Sequence, residues 1–97
     1  MKRIEFHPQA EIEFARDAEF YRERGERLSA EFTAGVESAL KFVRLNPDAG
    51  TPRGTEVRGW LVRRFPYTVI YREEEDRLFV LAIAPHRRHP GYWLGRV

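Results

Sequence analysis

The chain contains no cysteine, which excludes disulfide bonds, zinc–thiolate sites and a cysteine nucleophile. This absence fits a reducing compartment. No apolar run approaches the roughly 20 residues that a membrane-spanning helix requires, and the opening MKRIEFHP carries no apolar signal segment. We therefore expect a single domain covering residues 1–97, located in the cytoplasm and without a membrane partner.

Lysine is also scarce, and acidic side chains are missing from the last part of the chain. The 17 basic residues comprise 15 arginines and 2 lysines, and no carboxylate follows Asp76. Residues 1–50 carry 8 basic and 10 acidic side chains, a net charge of −2, whereas residues 51–97 carry 9 and 5, a net of +4. Because guanidinium groups match phosphate, carboxylate and stacked bases, the basic end of the chain is the predicted contact surface.

Hydrophobic periodicity predicts a strand, two helices and three further strands. Ile4 and Phe6 alternate as in a strand, after which apolar residues recur at helical spacing on either side of Gly25. The later runs VRGWLVRRF, YTVIYRE and RLFVLAIA are rich in β-branched and aromatic residues, with links short enough for antiparallel hairpins. The predicted fold is α+β, a helical hairpin packed on an antiparallel sheet in the order β-α-α-β-β-β.

Few residues suggest acid–base or metal chemistry. The helical carboxylates, including Glu11 and Glu13, have the spacing of a solvated helix face, which leaves Glu56 as the one candidate acid or base. His86 and His89 form an H-x-x-H pair between Pro85 and Pro90. Proline on both sides disfavours a helix here, and a third ligand is not evident. We therefore expect neither a metal nor another cofactor.

Arginine and aromatic residues are the stronger candidates for binding. We expect the arginines of the predicted strands and of the segment after them to gather on the sheet face that the helices leave uncovered, unless they only solvate that face. The predicted substrate-binding residues are Arg58, Arg63, Arg64, Arg88 and Trp93. Tyr92 and Trp93 either stack on bases or a partner, or fold back over the sheet edge.

The stretch RRFPYTVIYREEEDRLFVLAIAPHRRHPGYW, from Arg63 to Trp93, resembles the RelE/ParE superfamily. These proteins are the toxin halves of bacterial type II toxin–antitoxin pairs. The likeness includes the β-α-α-β-β-β order and is strongest from Trp60 to Trp93, in the pattern FPY-x-[VI]-I-Y-R followed by VLA-[IV]-A-x-H-x-R-x-P-x-Y-W. It implies a small cytoplasmic toxin that a cognate antitoxin protein holds inactive.

The resemblance also implies two targets, ribosome-bound mRNA, which is cleaved without a metal, or DNA gyrase. Arg87 and Tyr92 match positions that carry out RNA cleavage in the ribonuclease branch, and His86 falls where some members place a catalytic histidine. Thr68 departs from that branch, which often has an arginine early in this strand. An inactive member that only binds an antitoxin is the third hypothesis. An apolar groove is expected to accept an acidic antitoxin segment.

Overall fold

Two helices cover one face of a five-stranded mixed sheet. The computed structural model describes residues 2–97. Along the chain its elements are β1 (Arg3–Phe6), α1 (Pro8–Arg22), α2 (Glu26–Leu45), β2 (Thr51–Gly54), β3 (Val57–Leu61), β4 (Tyr67–Glu73), β5 (Arg77–Pro85) and a C-terminal 3₁₀ turn (Leu94–Arg96). The predicted α+β class and the helical hairpin on a sheet are confirmed.

The strands lie in the order β1-β5-β4-β3-β2. β1 runs parallel to β5, with Ile4 opposite Leu78, and the other neighbours are antiparallel. The sheet is therefore mixed and not antiparallel throughout as predicted, because β1 pairs in parallel with β5. β2 is a strand that the hydrophobic pattern did not predict. Its sequence TPRG is exposed throughout and includes Pro52, which an edge strand tolerates because the outer side of its backbone has no partner.

The helical hairpin has a defined start and a defined turn. His7 precedes α1 and caps it, because its Nδ1 accepts a hydrogen bond from the Gln9 amide at 3.1 Å. Gly25, with φ 154°, leads into α2. The Ser29 hydroxyl then ties the helices together by donating to the Ala18 carbonyl at 2.8 Å. Within residues 2–97, no helix has the length and apolarity needed to span a membrane.

The main core lies between the helices and the sheet. Phe32 of α2 is fully buried at its centre. Its ring centroid lies 4.7 Å from that of Tyr67 on β4, 4.8 Å from that of Tyr21 on α1 and 5.4 Å from that of Phe65. One aromatic cluster therefore joins both helices to the sheet.

A second apolar cluster occupies the opposite face of the sheet, here called the open face. Trp93 is 6% exposed and packs on this face together with Val57, Ile70, Leu81 and Ala82. Two consecutive residues of β5, Leu81 and Ala82, belong to this cluster. This is possible because the pairing of β4 with β5 shifts register at that point. The chain after β5 therefore folds back and covers part of the face that the helices leave free.

Tyr71 attaches the α2–β2 connection to the sheet. Its buried hydroxyl donates to the Pro47 carbonyl at 2.7 Å and accepts from the Gly50 amide at 3.1 Å. A Cβ on Gly50 would lie 2.5 Å from that hydroxyl, so only glycine permits this approach. The contact sets where β2 begins and thereby where Arg53 lies.

Candidate functional site

A pocket of about 550 Å³ lies on the open face, between the sheet and the segment that follows β5. Its lining contains no carboxylate. The polar and aromatic residues that line it are Arg53, Thr68, His86, Arg88, His89, Tyr92 and Trp93. The open-face pocket is therefore a basic site with apolar walls, suited to an anionic group attached to an apolar or aromatic body.

Arg53 reaches this pocket because Gly59 leaves room for it. A Cβ on Gly59 would lie 2.9 Å from Arg53 Nε and 3.0 Å from Thr68 Cγ2. The side chain of Arg53 on edge strand β2 can therefore lie against β3, although the residue remains exposed. Sequence reasoning missed Arg53 because its segment lacks strand periodicity. The one available signal was Gly59, since glycine within a strand often marks a close approach.

His86 is oriented by Thr68. Thr68 Oγ1 lies 2.8 Å from His86 Nε2, within hydrogen-bonding distance, and the His86 amide donates to the Pro66 carbonyl at 2.8 Å. Thr68 is 5% exposed, whereas His86 is exposed at the pocket rim. Thr68, which departs from the ribonuclease pattern, is therefore the residue that orients His86.

Tyr92 lies beneath two guanidinium groups. Arg88 Cζ is 3.6 Å and Arg96 Cζ is 5.2 Å from its ring centroid, within cation–π range. The Tyr92 hydroxyl is buried and has no hydrogen-bond partner among residues 2–97. Burial raises the pKa of this phenol, and the negative charge of Glu13 raises it further against the opposing arginines. At neutral pH the hydroxyl therefore stays protonated.

Glu13 of α1 holds both of these arginines. Arg96 donates to its two carboxylate oxygens at 3.0 and 2.6 Å, and Arg88 donates at 3.3 Å. Burial alone would raise the pKa of Glu13, but the hydrogen bonds and charges of Arg96 and Arg88 outweigh it and leave the pKa below its ordinary value. The expected solvated position of Glu13 is wrong, because the C-terminal segment covers that part of α1.

Arg87 lies on the other side of the same segment. It lines a smaller cavity of about 200 Å³ together with Asp17 and Arg16 of α1. Burial raises the pKa of Asp17, although the positive charge of Arg87 opposes the shift. Arg87 does not line the open-face pocket, whereas Arg88 and Tyr92 line both cavities. The predicted catalytic residues Arg87 and His86 therefore face different cavities.

Three predicted binding arginines lie away from the pocket. Arg58 is paired with Tyr71 on the helix-covered side and donates to the Gly50 carbonyl at 2.9 Å. β3 ends at Leu61, so Arg63 and Arg64 lie in the turn that follows it. The expectation that these arginines gather on the open face is wrong. Strand alternation turns Arg58 to the helix side, and the strand ends before the other two.

Two further predicted residues have defined positions. Trp93 lines the open-face pocket but is only 6% exposed. Of the two alternatives for this residue, stacking on a ligand or folding back over the sheet, its packing matches the second. Glu56 is exposed in the β2–β3 turn with φ 61° and does not line the pocket. Within residues 2–97, no three His, Asp or Glu side chains are grouped as metal ligands.

The ion pairs of Glu13 predict acid-sensitive stability. Because its folded pKa is lowered, ionised Glu13 stabilises the fold above the ordinary pKa of 4.5, and this contribution disappears as the pH falls through the folded pKa. We expect the unfolding free energy of the wild type to exceed that of Glu13→Gln by about 3 kcal/mol at pH 7. Urea unfolding from pH 7 to 3 should show this difference shrinking below the ordinary pKa, and a constant difference would contradict the assignment.

Comparison with known families identifies the chain. No curated protein matches it. The family described as the ParE toxin of the type II toxin–antitoxin system, parDE, matches residues 4–90. This match covers both helices and the five strands except Arg3, and it includes His86 and Arg87 but ends before Tyr92 and Trp93. The chain therefore belongs to the ParE toxin family of type II toxin–antitoxin systems.

Proposed function

We propose that this chain is a growth-inhibiting toxin of the cytoplasm that binds DNA gyrase through the open-face pocket, without chemistry of its own, and that a cognate antitoxin neutralises it. One observation carries the choice of a binding mechanism. The Tyr92 hydroxyl is buried beneath Arg88 and Arg96, and Glu13 neutralises part of the charge of these arginines. The hydroxyl of Tyr92, one of the three predicted catalytic residues, is therefore not accessible to a substrate.

RNA cleavage demands more than this arrangement offers. Attack by a ribose 2′-OH requires a base at the hydroxyl, an acid at the leaving oxygen and positive charge at the phosphate. A phenol with a raised pKa is a poor base at neutral pH. Arg87 lines a different cavity from His86, so the two predicted catalytic side chains are not gathered in one pocket. Both arguments favour binding over catalysis.

Ribosome-dependent mRNA cleavage is the second candidate, and one observation favours it. His86 is exposed, its ring is oriented by Thr68, and the same pocket contains Arg53 and Arg88 without a carboxylate. Histidine is the side chain that most often acts as a general acid or base in enzymes. Under this alternative, His86 replaces Tyr92 as the acid–base group.

An apolar groove beside α2 supports the antitoxin part of the proposal. Phe42 is 40% exposed and stacks on Trp60 with their centroids 4.6 Å apart, while Arg63 and Arg64 border the same groove. Both arginines are exposed and follow β3 in the turn to β4. The fitting occupant is an amphipathic antitoxin helix, with apolar side chains against Phe42 and carboxylates against the arginines.

The distinguishing experiment compares Tyr92→Phe, His86→Ala and Arg53→Ala with the wild type, expressed without antitoxin. Plasmid supercoiling, gyrase–DNA cleavage complexes and mRNA ends are measured in the same cells. We expect the wild type to disturb supercoiling and Tyr92→Phe to remain as toxic, because a buried, protonated hydroxyl takes no part. Losing a charged donor should weaken gyrase binding by Arg53→Ala on the order of tenfold to a hundredfold.

Other outcomes would contradict the proposal. Cleaved mRNA that disappears in His86→Ala, with unchanged supercoiling, would identify a ribonuclease. Loss of toxicity in Tyr92→Phe, with a normal melting temperature, would restore the tyrosine to a chemical role. Harmless expression of the wild type would indicate a member that only binds its antitoxin.

A further inference from the structure

The segment after β5 forms one wall of the open-face pocket, through Gly91, Tyr92, Trp93 and Leu94. Its backbone hydrogen bonds from residue 92 onward connect only to residues three positions earlier within residues 2–97, as in Tyr92 to His89 and Arg96 to Trp93. Such bonds shape the segment but do not attach it to the rest of the fold. Other contacts must set where this wall stands.

Polar attachment of the wall is concentrated in one side chain. Among the described residues, Arg96 makes every long-range hydrogen bond of residues 90–97. It donates to the Leu81 carbonyl at 3.0 Å and to both carboxylate oxygens of Glu13. The remaining long-range contacts are apolar and come from Trp93 and Tyr92 on the sheet.

The Glu13–Arg96 pair differs from the other ion pairs of the chain. Its side chains are 11% and 12% exposed, whereas those of Arg72 and Glu74 are 25% and 26% exposed and those of Arg3 and Asp76 are 60% and 70% exposed. Exposed pairs fix little because water screens them and the side chains remain mobile. A shielded, two-pronged arginine–carboxylate contact fixes both distance and orientation. It can therefore hold a short terminal segment in one place.

Glu13 also sets the position of Arg88, which lines the pocket directly. The carboxylate contacts Arg88 from one side, and the guanidinium of Arg88 stacks on the Tyr92 ring. Glu13 itself does not line the open-face pocket. Any influence of Glu13 on the pocket therefore passes through the two arginines.

We propose that Glu13 is a positioning residue for the target-binding surface, because its carboxylate holds Arg96 and Arg88 and thereby fixes the C-terminal wall of the open-face pocket. This inference rests on the proposed function for the identity of the target. It assigns to a carboxylate of the first helix control over a site built from the last residues of the chain.

The test compares Glu13→Gln and Glu13→Asp with the wild type and two controls. Glu11→Gln makes the same chemical change at an exposed position of α1, and Val43→Ala lowers stability from the opposite core. The first measurement is the emission of Trp93 in isolated protein, in a Trp60→Phe background. We expect a red shift and faster amide exchange of residues 88–97 in Glu13→Gln but in neither control.

The second measurement is inhibition of gyrase supercoiling by each purified variant. We expect Glu13→Gln to need at least tenfold more protein, Glu13→Asp to recover part of the loss because it keeps the charge, and Glu11→Gln to match the wild type. Val43→Ala should inhibit normally at temperatures where it is folded. If Val43→Ala and Glu13→Gln have the same melting temperature and lose the same amount of gyrase inhibition, Glu13 contributes only to overall stability. That result would overturn the inference.

The two measurements separate this inference from the proposed function. A wild type that is inert toward gyrase refutes the proposed target, while Trp93 emission still reports whether Glu13 fixes the wall. Unchanged emission and exchange in Glu13→Gln would overturn the positioning role, whichever target the toxin has.

Discussion

Trp93→Ala should destabilise the isolated protein by roughly 3–5 kcal/mol and abolish toxicity. The side chain is 6% exposed and packs against Val57, Ile70, Leu81 and Ala82. Its loss uncovers part of the sheet and removes the main apolar attachment of the C-terminal segment. A domain of this size is typically stable by about 5–15 kcal/mol, so most of the chain should remain folded for the measurement. Urea unfolding and growth inhibition are the two readouts.

The companion variant Trp93→Phe keeps an aromatic cover and should lose only about 1–2 kcal/mol while remaining toxic. The pair distinguishes the two roles that the sequence left open for this tryptophan. A ring that served only to stack on a ligand would be dispensable for folding, so Trp93→Ala would then unfold like the wild type. Unchanged stability of the alanine variant would therefore contradict the packing seen here.

Phe32→Ala should cost roughly 3–5 kcal/mol through the main core. Phe32 is fully buried and contacts aromatic rings of α1, β4 and the β3–β4 turn. Because Tyr21, Phe65 and Tyr67 cannot all move inward, the substitution leaves a cavity at the junction of the helices and the sheet. The midpoint of urea unfolding should shift strongly without a change in its slope.

Phe20→Ala supplies the matched control, since it removes the same side chain from a position on α1 that is 39% exposed. We expect a loss of about 1 kcal/mol from its contact with Arg24, whose Cζ lies 3.6 Å from the ring centroid. Equal losses in the two variants would mean that the Phe32 site collapses and fills its own cavity.

Sequence periodicity was sufficient for most of the fold. Spacings of three and four residues in both helices, and runs of β-branched residues in β3, β4 and β5, reflect which faces must be buried, so the α+β arrangement followed directly. β2 was missed because its pairing depends on backbone contact with β3 and leaves no hydrophobic signature. The parallel pairing of β1 with β5 was likewise decided by tertiary packing.

The candidate site was only partly predictable. The basic, aromatic composition after β5 indicated the right segment. The family likeness selected Arg87, Tyr92 and His86, of which His86 and Tyr92 line the open-face pocket together with the predicted binding residue Arg88. Local sequence could not show that Arg87 lies beside α1, since that depends on the turn that follows β5. Nor could it reveal Arg53, which reaches the pocket across Gly59 from a neighbouring strand.

By itself, the sequence determined the fold class, the family and the basic segment, because each depends on residue types and on spacing along the chain. The tertiary structure determined which charged side chains form ion pairs and which remain available for binding. Glu13 had the spacing of a solvated helix residue, yet the returning C-terminal segment buries it beside Arg96 and Arg88. Glu13 and Arg96 are 83 positions apart in the sequence. Their pairing depends on the path of the folded chain, so it leaves no local sequence pattern.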